Sequence, residues 1–374
     1  MMNLKQTIKD WMLPIAMVTG ASVYLIYHAL PEPVHKAGPF LNEAVGIIQP
    51  LLIFAMLFLT FCRIEPKDLK PHRWHWWLLL IQGGFFTVLG LAAVIAMKLL
   101  PEGSHDWIVL LESAMLCMIC PTATAAAVVT RKLGGDVPGI TTYIVLINIV
   151  AAVLVPLIVP LIQPMAGLTF WEAFSMILAK VLPLLMLPCF SAWLVRYLMP
   201  KVHRKLLEWQ DLPFNLWVVA LVLAIAVTTK AIVKSEMSWT LLGAMSLVSL
   251  LCCVFQFWAG RYVGSCYKPR RHHPAGKRAS DVRYAHPTTS LRLWSPRSRA
   301  AGGTVLVPSS QQAEERGREV RKVTAGQSLG QKNTVFAIWL GYTFMTPETA
   351  IVGGLYSIWH NLYNSWQLYR DGRG

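Results

Sequence analysis

Ten apolar runs, each about as long as a bilayer is thick, decide what this chain can fold into. A hydrocarbon core of ~30 Å takes about 20 helical residues. Runs of that order cover 11–30, 44–62, 75–100, 107–130, 138–163, 170–199, 212–232, 239–263, 328–346 and 349–368. In lipid the backbone polar groups must be satisfied within the protein, which selects helices over open strands. The expected fold class is an all-α membrane protein of about ten transmembrane helices. Only 14% of residues are charged and 55% are hydrophobic, whereas a soluble domain is about 25% charged. So few charges cannot coat a water-facing surface of this size. Trp11 to Leu30 has no small-residue cleavage site after it and reads as a span rather than a leader.

The net charge of +15 would suggest nucleic acid in a soluble protein. Here the basic residues gather in loops, as orientation in a membrane requires, and no nucleic-acid partner is expected. With the N-terminus placed in the cytoplasm, the inner loops hold Lys5, Lys9, Arg63, Lys67, Lys70, Arg73, Arg131, Lys132, Arg196, Lys201, Arg204 and Lys205. The outer side has Lys36, Lys98, Lys230 and Lys234. The alternation stays in phase over ten crossings and puts both termini in the cytoplasm of a multi-pass cell-membrane protein. The seven cysteines match no zinc spacing and read as small apolar residues.

Two spans are irregular. The fourth contains Cys120-Pro121-Thr122-Ala123-Thr124, and its proline removes a backbone donor in mid-membrane. The ninth opens with the polar run Gly326-Gln327-Ser328-Leu329-Gly330-Gln331-Lys332-Asn333-Thr334. If the chain is two five-helix halves, these are the fourth helices of each. Interrupted helices at matching places point to a transporter built from inverted repeats. The expected organisation is a first repeat over 1–163 and a second over 164–266 and 323–374. Interrupting the second repeat, 267–322 carries thirteen Lys and Arg against four acids with no apolar periodicity. It reads as a basic cytoplasmic insertion without structure, of doubtful origin.

Polar groups inside lipid are costly and mark function. Thr122 and Thr124 lie at the fourth-helix break, Gln82 in the third span, Asn148 in the fifth, Gln331, Lys332, Asn333 and Thr334 at the ninth, and His360, Asn361 and Asn364 in the tenth. Asn148 is expected to join two helices, Gly83-Gly84 to mark close helix packing, and Trp76, Trp77 and Trp107 to anchor at the interface. Glu112 sits early in its span and is expected to face the outer aqueous edge. Half-helix N-termini can face an anion, and freed carbonyls can hold a cation. No His-Glu-x-x-His or Gly-x-Ser-x-Gly occurs, which argues against an intramembrane enzyme. A proton/cation antiporter of similar architecture is the closer alternative, though it would want an aspartate near the breaks.

At these residues the chain resembles the bile acid:sodium symporter family. The family's fourth helix reads Cys-Pro-Gly-Gly-Thr-Ala-Ser-Asn, where this chain has Cys120-Pro121-Thr122-Ala123-Thr124-Ala125-Ala126-Ala127, then Gly134-Gly135-Asp136. The family's later Gln-Asn-Ser-Gly-Leu-Ala and Gly-Ala-Leu-Phe-Ser-Val-Trp-His-Asn correspond to Lys332-Asn333-Thr334-Val335-Phe336-Ala337 and Gly353-Gly354-Leu355-Tyr356-Ser357-Ile358-Trp359-His360-Asn361. The resemblance implies ten helices in two inverted repeats, with broken, crossing fourth and ninth helices, a panel and a core. It implies sodium-driven import of an organic anion such as a bile acid. Thr124 and Asn333 match substrate-contacting positions, and Gln82 matches a sodium-site position. Thr122, Thr334, His360 and Asn361 complete the expected substrate set, and Gln331, Lys332 and Ser328 the expected ion-coupling set. No cofactor is expected beyond a coupling sodium ion, and the expected partners are membrane lipid, the organic anion and, in a homo-oligomer, further copies of the chain.

The chain departs from that pattern where sodium would bind. The family's Ser-Asn is Ala126-Ala127, its acidic residue is Ser328, and its glutamine aligns with Lys332 unless a one-residue gap restores Gln331. Sodium is a hard cation that wants oxygen ligands, and an ammonium repels it. The expectation is that Lys332 stands in for at least one sodium ion, as a fixed charge or as a proton carrier.

Overall fold

The computed structural model describes residues 4–31, 33, 36–99, 101, 105–209, 212–267 and 310–371. Among them the chain is helical throughout, in order α1 (Leu4–Ala29), α2 (Gly38–Cys62), α3 (Arg73–Leu99), α4 (His105–Ile119), α5 (Ala125–Lys132), α6 (Val137–Ile162), α7 (Phe170–Leu198), α8 (Pro200–Glu208), α9 (Leu212–Lys234), α10 (Trp239–Cys266), α11 (Ser310–Gly330), α12 (Thr334–Phe344) and α13 (Pro347–Asp371). Local chemistry sets several ends. Thr169 and Glu172 form a capping box at the start of α7. Ser238 caps α10 by accepting from Leu241 N at 3.1 Å. Gly134, at φ 70°, ends α5 in the left-handed turn that glycine alone enters freely.

Among the described residues six helices, α2, α3, α6, α7, α9 and α10, are long and apolar enough to cross a membrane. The other expected spans fall short for visible reasons. α1 is apolar only over Pro14–Ala29, and α12 over Thr334–Phe344. The fourth and ninth are each cut in two, and α13 carries the buried polar stripe Ser357, His360, Asn361, Asn364 and Gln367. Large apolar side chains stand exposed around the outside, among them Ile26, Phe40, Val88, Leu194, Leu251 and Trp258. A water-soluble monomer does not display so much apolar surface; this is a multi-pass membrane protein. Trp76, Trp77 and Trp107 are exposed, as interface anchors would be.

α1 packs on α9, and α2 lies between α7 and α9. On the other side α3, α6, α10 and α13 surround the two interruptions. One apolar core runs from Ile53 and Phe61 through Met115, Val155 and Leu185 to Phe336 and Val352. Asn148 donates to Leu185 O at 3.4 Å and so joins α6 to α7, as expected. Of the glycine pair in α3, only Gly83 marks close packing: a Cβ there would lie 3.1 Å from Leu154, whereas at Gly84 it would meet nothing. At one end, Arg196 donates to Ile64 O at 2.6 Å, His203 pairs with Cys62 O at 2.7 Å and Arg63 reaches Trp209 O at 2.9 Å. These bonds tie the α2–α3 connection to α7 and α8.

The basic stretch differs from its expectation in part. Residues 268–309 lie outside the described residues, but 310–322 is helix and belongs to α11, which continues unbroken to Gly330. The physical reason is a glycine seam. Gly260 and Gly264 of α10 let the backbones of Ala325 and Arg321 approach so closely that a Cβ at either would overlap a carbonyl. Gly330 meets the ring of Phe257 in the same way. Small residues bring helix backbones together where lipid offers no hydrophobic drive. Arg261 and Lys322 then both pair with Glu319, at 2.9 and 3.0 Å. The break in the ninth helix is therefore confined to Gln331, Lys332 and Asn333 rather than opening at Gly326.

Candidate functional site

The two interruptions meet. Thr122 and Lys332 face each other as an isolated antiparallel bridge. Ala123 N donates to Gln331 O at 2.9 Å, and Asn333 N donates to Pro121 O at 2.8 Å. Each broken segment thus supplies the backbone partners that the other has lost.

The carbonyls at the end of α4 can be followed one by one. In a continuous helix Cys117 O would accept from residue 121, but Pro121 has no N–H. Gln256 of α10 takes its place, donating from Nε2 to Cys117 O at 3.3 Å. Lys332 Nζ donates to Met118 O at 3.3 Å. Gln82 Nε2 donates to Ile119 O at 3.3 Å and Cys120 O at 2.9 Å. Tyr143 OH holds that amide in orientation by donating to Gln82 Oε1 at 2.9 Å. The end of α11 is treated likewise. Tyr356 OH donates to Gly330 O at 2.7 Å, and Thr122 Oγ1 to Ser328 O at 2.5 Å. Thr122 therefore bonds across to the partner helix rather than back along its own.

The helix N-termini are arranged differently. Asn333 caps α12, its Oδ1 accepting from Phe336 N at 3.2 Å, while Thr124 at the N-cap of α5 makes no side-chain cap bond. Both N-termini open onto a small cavity lined by Met56, Thr124, Trp217, Lys332, Asn333 and Thr334. Lys332 itself is 1% exposed. Around it lie the sulfurs of Cys117, Cys120, Cys252 and Cys253, and among the described residues no carboxylate pairs with it. A buried ammonium without a counter-charge is costly. Two half-helix N-termini add partial positive charge on the same side.

Of the residues singled out in the sequence, Thr122, Thr124, Gln82, Lys332, Asn333 and Thr334 come together here. Neither His360 nor Asn361 lines the cavity. His360 packs edge-on against Tyr356 at 5.6 Å, and Asn361 donates to Ser357 Oγ at 3.3 Å. Ser328 Oγ, both amide atoms of Gln331 and both ring nitrogens of His360 are buried without a hydrogen-bond partner. Sequence reasoning missed Gln256, Tyr143 and Tyr356, though a lone glutamine inside an apolar run was a visible signal for the first. Glu112 departs from expectation. Far from facing the aqueous edge, it is 1% exposed and bonded to Gln163 and Thr349, because the end of α6 and the start of α13 close over it. The described residues hold no cluster of three or more metal-ligating side chains, and every cysteine is free.

No curated protein matches the chain. The model of the SBF-like CPA transporter family matches residues 11–301, more than half of the sequence, and the chain belongs to that family.

Proposed function

We propose that the protein is a secondary active transporter that carries a small organic anion, a carboxylate or sulfonate of bile-acid type, across the cell membrane by alternating access. In this reading α4–α5 and α11–α12 are the fourth and ninth of ten crossings in two inverted five-helix repeats, with both termini cytoplasmic. Membership of a transporter family supports the general class. One observation carries the anion: at the crossing, the helix C-termini are already satisfied by Gln82, Gln256, Lys332 and Tyr356, while the N-terminus of α5 has no side-chain cap and lies beside Lys332 at a narrow cavity that must widen to admit such an anion.

A sodium ion would need several free oxygens, and these carbonyls are bonded to side-chain donors, which leaves Ser328 Oγ and Gln331 Oε1 of the expected ion-coupling set as the unbonded ones. The Lys332 ammonium stands where such a cation would be useful, fixed to Met118 O. The anion would then bind at Thr124, Asn333 and Thr334, with Lys332 as its counter-charge. Closing the cavity to either side in turn would move it. A thermal-shift screen of organic anions on purified protein, with and without sodium, tests the proposal. Stabilisation by a carboxylate or sulfonate without sodium is expected. Stabilisation that needs sodium, or none by any anion, refutes it.

A further inference from the structure

Glu112 is a carboxylate that the crossing does not use. It lies on α4 two turns before the break, where α4, α6 and α13 meet. Gln163 Nε2 donates to its Oε1 at 2.6 Å, and Thr349 Oγ1 donates to its Oε2 at 2.7 Å. The Thr349 hydroxyl is also 2.9 Å from Thr346 Oγ1, and either oxygen can be the donor. Thr346 accepts the Thr349 N–H at 3.1 Å as well.

Among the described residues no cation pairs with this carboxyl. The charged groups that act on it are His105 on its own helix and Glu348 on α13. α6 brings no charged side chain, and the half of α10 that begins at Trp239 brings none either. α12 brings only Tyr342, and Lys98 of α3 is exposed. Burying an unpaired carboxylate is costly, so the cluster must have another way to be complete.

It has one, because a hydroxyl both donates and accepts. Ionised, Glu112 accepts from Gln163 and Thr349. With a proton added to Oε2, the carboxyl O–H donates to Thr349 Oγ1, and Thr349 turns its hydrogen to Thr346 Oγ1. Both arrangements use the same heavy-atom positions. The proton comes from water at the rim, where Gln163 and Thr346 are half-buried rather than sealed, and it returns there.

We propose that Glu112, Thr349, Thr346 and Gln163 form a proton-binding site in the bundle, separate from the crossing. The donors present distinguish a proton from a metal cation: Gln163 turns its NH2 to the carboxyl, and Thr349 its hydroxyl hydrogen, and both would repel a cation. A proton held here gives the transporter a coupling ion. That functional half of the inference rests on the reading above; the binding half does not.

The binding half is tested by infrared difference spectroscopy of the full chain in lipid across a pH titration. The wild type should gain a protonated-carboxyl band on acidification that E112Q lacks. Q163L keeps much of the volume but removes a group that only donates, and donates more strongly to the carboxylate than to the neutral acid. It should hold the proton to a pH higher by about one unit, the difference between a hydrogen bond to a charged and to a neutral group. A carboxyl band unchanged in E112Q, or a Q163L titration superimposable on the wild type, overturns the site. Should E112Q not fold, the Q163L shift decides alone. For the functional half, an inward proton gradient should accelerate uptake of a sulfonated bile acid into proteoliposomes by the wild type and not by E112Q. Gradient-independent uptake by the wild type overturns coupling. Absence of uptake under every gradient refutes the anion reading, and the proton site then stands or falls on the infrared bands.

Discussion

Replacing Lys332 by methionine separates the two roles of its ammonium. The first is structural: Nζ is the donor that Met118 O has at the end of α4, and stranding a buried carbonyl costs about 1–3 kcal/mol. Against this stands relief from burying an ammonium that has no counter-charge, a penalty of several kcal/mol per ion in protein interiors. The second effect is at least as large as the first, so K332M should melt at or above the wild-type temperature in detergent. The second role is recognition. An anion beside Asn333 and Thr334 would sit roughly 5 Å from the ammonium. At an effective dielectric of about 20 that attraction is worth ~3 kcal/mol, or roughly 150-fold in affinity. Isothermal titration with a sulfonated bile acid should therefore show K332M binding about two orders of magnitude more weakly while its fold is intact, with the wild type indifferent to sodium. Equal affinity in K332M, or wild-type binding that rises steeply with sodium, would refute the reasoning.

The remaining expectations concern the scaffold and the crossing. Q82L strands the carbonyls of Ile119 and Cys120 and the hydroxyl of Tyr143 and should cost about 2–4 kcal/mol, more than Q256L, which strands Cys117 O and removes one donor to Tyr356, whose hydroxyl still bonds Gly330 O; thermal unfolding in detergent measures both. G260L should part the α10–α11 seam and lower folded yield sharply, whereas G84A, in the interior of α3 with open space around it, should stabilise by about 0.5–1 kcal/mol. Thr122→Val removes the 2.5 Å bond to Ser328 O and should loosen the crossing by about 1–2 kcal/mol, read as faster amide exchange in Thr122–Thr124 and Gln331–Asn333.

The neighbourhood of each break was legible in the sequence because it carries a local signal, a proline beside threonines in the fourth span and a polar run in the ninth. The exact place was less so: the polar run began at Gly326 but the break is confined to Gln331–Asn333, and prolines inside α1, α2, α6 and α7 leave those helices continuous. What fills the breaks was not legible. Gln256 lies 139 residues from the α4 carbonyl it serves, and an isolated polar residue in a span does not reveal which carbonyl it will reach. Thr122 illustrates the difficulty: a threonine in a helix usually bonds one turn back, and here the opposing segment was nearer. The polar composition of 310–322 hid a helix, since its stability comes from a tight seam with α10 rather than from an apolar face of its own. The burial of Glu112 was equally hidden, because its distance from the end of its own span says nothing about the neighbours that fold over it.

That seam carries a consequence for how the chain can be assembled. Where two backbones touch through glycine, the steric fit itself dictates how far one helix slides along the other, so the link between Tyr267 and Ser310 is relieved of any orienting duty. A gene split there, its two products made separately in the same membrane, should yield fragments that find each other and lock in the native alignment. Changes in the length of that link should be equally harmless to the alignment of α10 with α11.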